Sequence, residues 1–223
     1  IGRRVYDEVR AEFPQIDQEF AGAKVLARLS TSPYQVMTVS RPIRSMADFK
    51  GLRLKTTGEY SDIVAAFGAI GQTIPMADTY VALQKGTVDG AVVPGETLKS
   101  FNFAEVVKYI TILNMAASPS PHRAMNWDTW NKLPADIQKV FEDNILWWGK
   151  ELEKEMFAAD DVGYALARQY GAEIINLPQS ELDTFYAAVH QVCLNKMATL
   201  DAKGLPGTQI YNRIRELIEK YNE

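Results

Sequence analysis

The 223-residue chain has few of the residues that build disulfides and zinc sites. It contains one cysteine, Cys193, and two histidines, His122 and His190, which lie far apart in the sequence. A single cysteine excludes a disulfide within the chain, so cysteine content does not identify the compartment. Structural zinc sites use four Cys or His ligands, which leaves only carboxylate-rich sites open. We therefore predict neither a metal site nor a cofactor.

The sequence also lacks long apolar runs and clusters of positive charge. A membrane-spanning helix needs about 18 consecutive apolar residues, and every apolar stretch in this sequence is much shorter. We therefore expect no direct membrane insertion. The 24 Lys and Arg residues are scattered, and 28 Asp and Glu residues outnumber them, for a net charge of -4. Nucleic-acid-binding proteins usually carry a basic face, so we predict no nucleic-acid partner.

The motifs of common enzyme classes are absent as well. The sequence has no H-E-x-x-H, G-x-S-x-G, P-loop or G-x-G-x-x-G motif. Cys193 falls on an apolar helical stripe, which favours a small core residue over a nucleophile. Asp160 and Asp161 are adjacent and project from different sides of a helix, so we interpret both as solvated surface rather than as an acid/base pair. We predict that the chain is not an enzyme.

Strand-like and helix-like segments alternate through the first half of the chain. This rhythm predicts an α/β domain with a largely parallel sheet. Helices are expected over 60–69 and 79–85, the second begun or capped by Asp78. Strands are expected over 23–29, 34–40, 52–56, 72–76, 88–94 and 106–115.

One long helical pattern dominates the second half. Pro134 is a typical first residue, and apolar residues recur at spacings of three and four from Ile137 to about Tyr170. Some 35 residues would form a helix on the order of 50 Å long. Gly149 and Gly163 interrupt it, and we interpret either as a position for a bend. Because so long a helix exceeds one small domain, we predict that it runs across two.

Tryptophan occurs in two different settings. Trp148 lies on the apolar stripe of the long helix with Trp147 beside it, which favours core packing. Trp127 follows a short strand and opens a helix, where α/β proteins place their ligand crevice. We give equal weight to a site role and a packing role for Trp127.

Four segments together resemble one family. They are "MADFKGLRLKTTG", "FGAIGQTIPMADTYVALQKGTVDGAVVP", "FAEVVKYIT" and "WDTWNKLPADIQKVFEDN". Their order and spacing resemble the extracytoplasmic solute receptors of TRAP transporters over roughly residues 23–145. The resemblance implies an α/β, two-lobed, periplasmic-binding-protein-like fold with hinge strands and a long helix spanning both lobes.

The resemblance also implies a division of the chain. Lobe 1 would contain 1–32 and 116–158, lobe 2 would contain 33–115 and 159–185, and 186–223 would form C-terminal helices that pack on the lobes. Family members extend further at the N-terminus, and Ile1 is not a native start. We therefore expect part of lobe 1 to precede this sequence.

The function implied by the resemblance is that of a periplasmic receptor. Such a receptor encloses a small organic acid between its lobes by hinge closure and delivers it to the subunits of a TRAP membrane permease. The alternative is a ligand-sensing domain of a signalling system with the same fold. Neither function requires a catalytic residue.

The resemblance further indicates where the ligand would bind. Family members commonly end the strand after "KGL" with an arginine, and Lys55 stands there in this chain. By itself Lys55 would be interpreted as a solvated strand-end charge, whereas the resemblance implies that it contacts a carboxylate. A second cation position corresponds to Tyr34, or to Gln35 if the register slips by one. Met76 matches a position that packs on the ligand.

Two further positions make the predicted site less polar than in many relatives. Val92 and Val93 replace a glutamate–asparagine pair that often precedes the proline. Glu96 opens the next helix, where dipole stabilisation is favoured over a ligand role. The predicted site thus offers Lys55 as its cation among apolar side chains. We predict a monocarboxylate ligand with an apolar or aromatic body.

Overall fold

The structure, a computed structural model, describes residues 1–28, 30–115 and 123–222. His122 lies outside these residues. The chain is an α/β protein, as predicted. Its helices are α1 Gly2–Glu12, α2 Gln15–Gln18, α3 Gly58–Ala66, α4 Met76–Gln84, α5 Thr97–Ser100, α6 Trp127–Asn131, α7 Ala135–Gln169, α8 Gln179–Asp201 and α9 Gly207–Asn222. Its strands are β1 Ala23–Ala27, β2 Tyr34–Thr38, β3 Arg53–Thr56, β4 Ile70–Thr73, β5 Gly90–Pro94, β6 Tyr109–Met115, β7 Arg123–Asn126 and β8 Glu173–Asn176.

The chain folds into two compact units. Unit 1 comprises the described residues of Ile1–Thr31, Ala117–Met156 and Met197–Glu223, and unit 2 those of Ser32–Ala116 and Phe157–Lys196. The 35-residue helix α7 passes from unit 1 into unit 2, which confirms the prediction that a helix of this length runs across two units. The lobe boundaries and the hinge closure inferred from sequence stay predictions.

Unit 1 contains a small helical core and a two-stranded ribbon. Helices α1 and α9 bury Val5, Val9 and Leu217 against each other. Strand β1 pairs antiparallel with β7, the short strand expected before Trp127. Trp147 is 60% exposed, so the prediction that it packs in the core is wrong for this chain. Val140, which lies on the stripe, is also 58% exposed, so the described residues leave this side of α7 uncovered.

Unit 2 is built on a six-stranded sheet in the order β4-β3-β5-β2-β6-β8. Strand β3 runs parallel to β4 and β5, and β6 runs parallel to β8. Strand β2 runs antiparallel to both of its neighbours. The sheet is therefore mixed, and the predicted parallel arrangement applies to three of its five pairings.

Each face of this sheet is covered by its own apolar cluster. One, the Phe49 cluster, includes Leu54 and Val92 and contains the edge-to-face rings of Phe49, Phe67 and Phe185. The other, the Phe103 cluster, includes Met37, Ala91, Val93 and Phe103. Successive residues of a strand point to opposite faces, so Val92 and Val93 belong to different clusters.

The segment that follows β4 differs from the sequence-based prediction. We expected a strand over 72–76, but β4 ends at Thr73, and α4 begins at Met76 with Pro75 as its N-cap residue. Proline lacks the N–H that a central strand donates and suits a helix start. The Pro75 carbonyl accepts hydrogen bonds from the Thr79 hydroxyl and the Asp78 N–H. Met76 is therefore fixed at the first position of a helix.

The two glycines of α7 mark close backbone approaches. A Cβ atom at Gly149 would lie 2.4 Å from the Arg28 carbonyl oxygen, within unit 1. A Cβ atom at Gly163 would lie 2.2 Å from the Gly95 carbonyl oxygen, within unit 2. Each distance is far below van der Waals contact, so packing explains both glycines.

Candidate functional site

Five of the residues assigned from the sequence lie at one edge of the unit 2 sheet. Because β3, β4 and β5 run parallel, their carboxyl ends share an edge, and the antiparallel β2 starts there. Ligands of open α/β sheets bind outside this edge. The five are Lys55 in β3, Met76 after β4, Val93 in β5, Glu96 after β5 and Tyr34 at the start of β2.

Lys55 is the most unusual of these residues because its charged side chain is buried. It is 2% exposed, and its Nζ donates a hydrogen bond to the Met76 Sδ at 3.0 Å. Within the part of the chain that the structure describes, no Asp or Glu forms a salt bridge with it. Burial lowers the pKa of the Lys55 ammonium from its ordinary value. The interpretation of Lys55 as a solvated charge is therefore wrong.

The chemistry available to this ammonium follows from its surroundings. Lys55 is in register with Ala91 of the Phe103 cluster on one side and with Gln72 of β4 on the other, and it is buried there. An ammonium has three donors and no acceptor, and a thioether is a weak acceptor. In a medium of low dielectric constant, a cation interacts strongly with an incoming anion. Lys55 is thus suited to hold a carboxylate.

Val93 and Tyr34 occupy opposite faces of the sheet. Val93 is fully buried in the Phe103 cluster, on the Lys55 face. Tyr34 packs with the Phe49 cluster and stacks on Tyr60, with ring centroids 4.8 Å apart. The alternative residue, Gln35, faces the same side as Lys55 and is the register partner of Val93. The roles of Tyr34 and Val93 in ligand binding stay predictions.

Glu96 and Trp127 each have their own hydrogen-bond partners, within unit 2 and unit 1 respectively. Glu96 is the N-cap residue of α5, and its carboxylate accepts a hydrogen bond from the Ser100 hydroxyl. Trp127 belongs to unit 1, where its Nε1 donates to the Ala21 carbonyl at 2.8 Å and its side chain is 38% exposed. Of the assigned residues, Lys55 and Met76 are joined by a hydrogen bond. The other assignments stay predictions.

A buried amide, Gln35, organises the start of β2. Its Oε1 accepts from the backbone N–H groups of Leu113 and Asn114 at 2.9 and 3.0 Å, and its Nε2 donates to the Asn114 Oδ1 at 2.9 Å. The β2–β6 register shifts between Tyr34 and Val36, and Gln35 satisfies the backbone donors that this irregularity releases. A glutamine in an otherwise apolar strand was the available sequence signal.

Asp160 and Tyr164 of α7 form a second buried polar group. Asp160 is 7% exposed, and its Oδ1 accepts the Glu96 backbone N–H at 2.6 Å. Burial is the main cause that raises the pKa of Asp160, and burial with the nearby Asp160 charge raises the pKa of Tyr164 to about 12. The interpretation of Asp160 as solvated surface is wrong. Asp160 is four residues from both Met156 and Tyr164 and so lies on the apolar stripe of α7. That spacing is the sequence signal for its burial.

Asp160 holds the turn after β5 through its hydrogen bond to the Glu96 N–H. Two substitutions of Asp160 distinguish the contribution of this hydrogen bond to stability from that of the carboxylate charge. In Asp160→Asn the side-chain oxygen still accepts the Glu96 N–H, so we expect stability at neutral pH to stay equal or rise. In Asp160→Ala the buried N–H loses its partner, which costs about 1–3 kcal/mol. Urea denaturation of both variants at pH 7 measures the difference. Equal losses for the two variants would contradict the assignment.

The raised pKa of Asp160 also predicts a pH dependence. The folded protein binds the Asp160 carboxyl proton more tightly than the unfolded chain does. This proton binding therefore adds its full contribution to the free energy of unfolding below the unfolded-state pKa of about 3.9. It is lost as pH rises through the higher folded-state pKa. The unfolding free energy of Asp160→Asn should therefore fall less than that of the wild type over this interval.

Comparison with known proteins places the chain. Residues 3–199 match DctP, described as bacterial extracellular solute-binding protein, family 7. The chain belongs to this family. The match confirms the similarity to TRAP solute receptors noted from the sequence motifs. The family consists of solute-binding proteins for transport, not of enzymes.

Curated relatives are named for different organic acids. The chain is 31% identical over 118 residues to the 2,3-diketo-L-gulonate-binding periplasmic protein YiaO of Escherichia coli, covering 52% of this chain and 34% of the relative. It is 25% identical over 167 residues to the C4-dicarboxylate-binding periplasmic protein DctP of Rhodobacter capsulatus, covering 70% and 46%. The chain thus spans about half the length of such relatives or less.

Solved structures show the same fold. A TRAP periplasmic solute-binding protein of Desulfovibrio salexigens is 30% identical with a TM-score of 0.77, covering 96% of this chain and 66% of that one. A TRAP solute-binding protein of Rhodoferax ferrireducens in complex with copurified benzoate is 27% identical with a TM-score of 0.81, covering 92% and 65%. Among the described residues, none of the helices has the length and apolar character needed to span a membrane.

Proposed function

We propose that this chain is the ligand-binding part of a periplasmic receptor that holds an organic acid and delivers it to a TRAP-type permease. The observation that carries the proposal is the burial of Lys55, whose ammonium donates to the Met76 thioether and forms no salt bridge with any residue that the structure describes. A buried cation without a carboxylate partner in the described chain costs stability, and a ligand carboxylate would offset that cost. Family membership supports the transport role.

The proposed ligand is a monocarboxylate with an apolar or aromatic body. Lys55 supplies one positive charge, and the position at which relatives carry a second cation holds Tyr34 or Gln35, neither of which is charged. Half-buried Met76 adds apolar surface on the same face, on which Val93 is fully buried. The benzoate in the Rhodoferax ferrireducens structure is an acid of the proposed kind. Binding between two lobes is part of the proposal.

Calorimetry with a panel of acids tests the ligand class. The full-length receptor is unfolded to release bound acid, refolded, and titrated with benzoate, a branched-chain 2-oxo acid and succinate. We expect an aryl or branched-chain monocarboxylate to bind at least about tenfold more tightly than succinate, because the second carboxylate of succinate would be desolvated without a cation. Succinate binding more tightly than every monocarboxylate would overturn the proposed class.

A further inference from the structure

The hydrogen bond between the Met76 thioether and the Lys55 ammonium lies at the position where the proposed function places a ligand carboxylate. Lys55 is fully buried, whereas Met76 is only half-buried and lies at the first position of α4. Of the two partners, Met76 is the one that solvent reaches. An anion from solvent must displace a neighbour of the ammonium, and Met76 is the recorded acceptor of its hydrogen bond.

Met76 is well suited to such a displacement. Its backbone is fixed by the first turn of α4, where the Thr79 hydroxyl and the Asp78 N–H both donate to the Pro75 carbonyl. The unbranched side chain has three rotatable bonds, so it can leave the ammonium by changing rotamer while the helix stays in place. The sulfur is a weak acceptor, so its loss removes little that a carboxylate does not replace.

We propose that Met76 is a displaceable internal acceptor, whose thioether occupies the Lys55 ammonium in the free protein and gives way to the ligand carboxylate on binding. This inference rests on the proposed function. Met76 then influences affinity as well as contacting the ligand. The acid must replace the Lys55–Met76 hydrogen bond, so a stronger bond to residue 76 reduces the free energy gained on binding the acid. A better internal acceptor should weaken ligand binding, and an apolar side chain should strengthen it.

Substitutions of Met76 test this competition in the full-length, ligand-free receptor, with benzoate and the other acids of the panel as probes. Met76→Gln introduces a neutral acceptor of similar length that is stronger than sulfur, and we expect acid binding to weaken about three- to tenfold. Met76→Leu removes the acceptor while keeping an apolar side chain, and we expect binding to tighten about two- to fivefold. Met37→Leu replaces a buried methionine of the same cluster and should leave affinity unchanged.

Methionine-methyl NMR provides a readout that does not depend on the affinities. The Met76 methyl signal, assigned by its loss in Met76→Leu, should shift when the receptor is saturated with the tightest acid of the panel. An unchanged signal at saturation, or equal affinities of Met76→Gln and wild type, would overturn the inference while leaving the acid receptor intact. If the wild type bound no acid of the panel, both the inference and the proposed function would fail.

Discussion

Lys55→Met is expected to weaken binding of the tightest-binding acid about 10- to 150-fold while making the ligand-free protein more stable. The affinity loss corresponds to the about 1.5–3 kcal/mol that a hydrogen bond to a charged group contributes. Methionine fills a similar length without a charge. Within the described ranges the buried ammonium donates to a thioether and to no carboxylate, so its removal should raise the free energy of unfolding by about 1–3 kcal/mol.

The lowered pKa of Lys55 predicts the pH at which this stability difference disappears. Between the lowered folded-state pKa and the ordinary value of about 10.4, the unfolded chain binds more protons than the folded protein. Wild-type stability therefore rises with pH through that window, because the buried group loses its charge. Lys55→Met lacks this rise, so the two proteins should converge at alkaline pH.

Urea denaturation at neutral and alkaline pH, combined with calorimetry, measures both effects of Lys55→Met. The exposed Lys50, five residues away in the same segment, gives the matched control. Lys50→Met should change neither the affinity nor the free energy of unfolding by more than about 0.5 kcal/mol. A Lys55→Met protein that is less stable than wild type and binds acid equally well would show that Lys55 is a structural residue.

Gly163→Ala is expected to destabilise the protein by about 1–3 kcal/mol, although alanine is the better helix former by about 1 kcal/mol. The added Cβ would lie 2.2 Å from the Gly95 carbonyl oxygen, so α7 or the turn after β5 must shift. That turn carries the Glu96 N–H that Asp160 accepts. The substitution should therefore also weaken acid binding, because it displaces the carboxyl edge of β5.

A second glycine substitution separates the steric effect in Gly163→Ala from helix propensity. Gly58 begins α3, and a Cβ atom there would meet nothing within 4 Å. Gly58→Ala should leave stability unchanged or raise it by up to about 1 kcal/mol. Thermal or urea unfolding followed by far-ultraviolet circular dichroism compares the two variants. Equal stabilities of Gly163→Ala and Gly58→Ala would contradict the close approach of α7 to Gly95.

The sequence predicts the fold well where a pattern extends over many residues. The apolar spacing from Ile137 to Tyr170 is long enough to define α7 nearly to the residue. A short strand is predicted before Trp127, but the pairing of β7 with β1 links residues about 100 positions apart, which sequence periodicity does not reveal. Met76 was assigned to a strand because a short apolar run around a proline does not distinguish a strand end from a helix start.

The sequence predicts where the candidate site lies better than it predicts the burial and hydrogen-bond partners of the site residues. The order of motifs brings Lys55, Met76 and Val93 to one sheet edge. The hydrogen bond of Lys55 is to Met76 in the helix after β4, a contact that the strand sequence alone does not reveal. Asp160 likewise accepts a hydrogen bond from Glu96, 64 residues away in the sequence, so its partner is not visible in the pattern of α7. The structure places Gln35, not Tyr34, on the sheet face that carries Lys55, a register that the motifs alone do not fix.

The central claim is that Lys55 recognises the charge of a carboxylate, and one comparison tests it directly. Wild type and Lys55→Met are each titrated calorimetrically with the tightest-binding acid of the panel and with its primary amide, which has the same shape and no charge. We predict that the wild type prefers the acid by at least about tenfold and that Lys55→Met loses most of that preference. An undiminished preference for the acid in Lys55→Met would contradict the account.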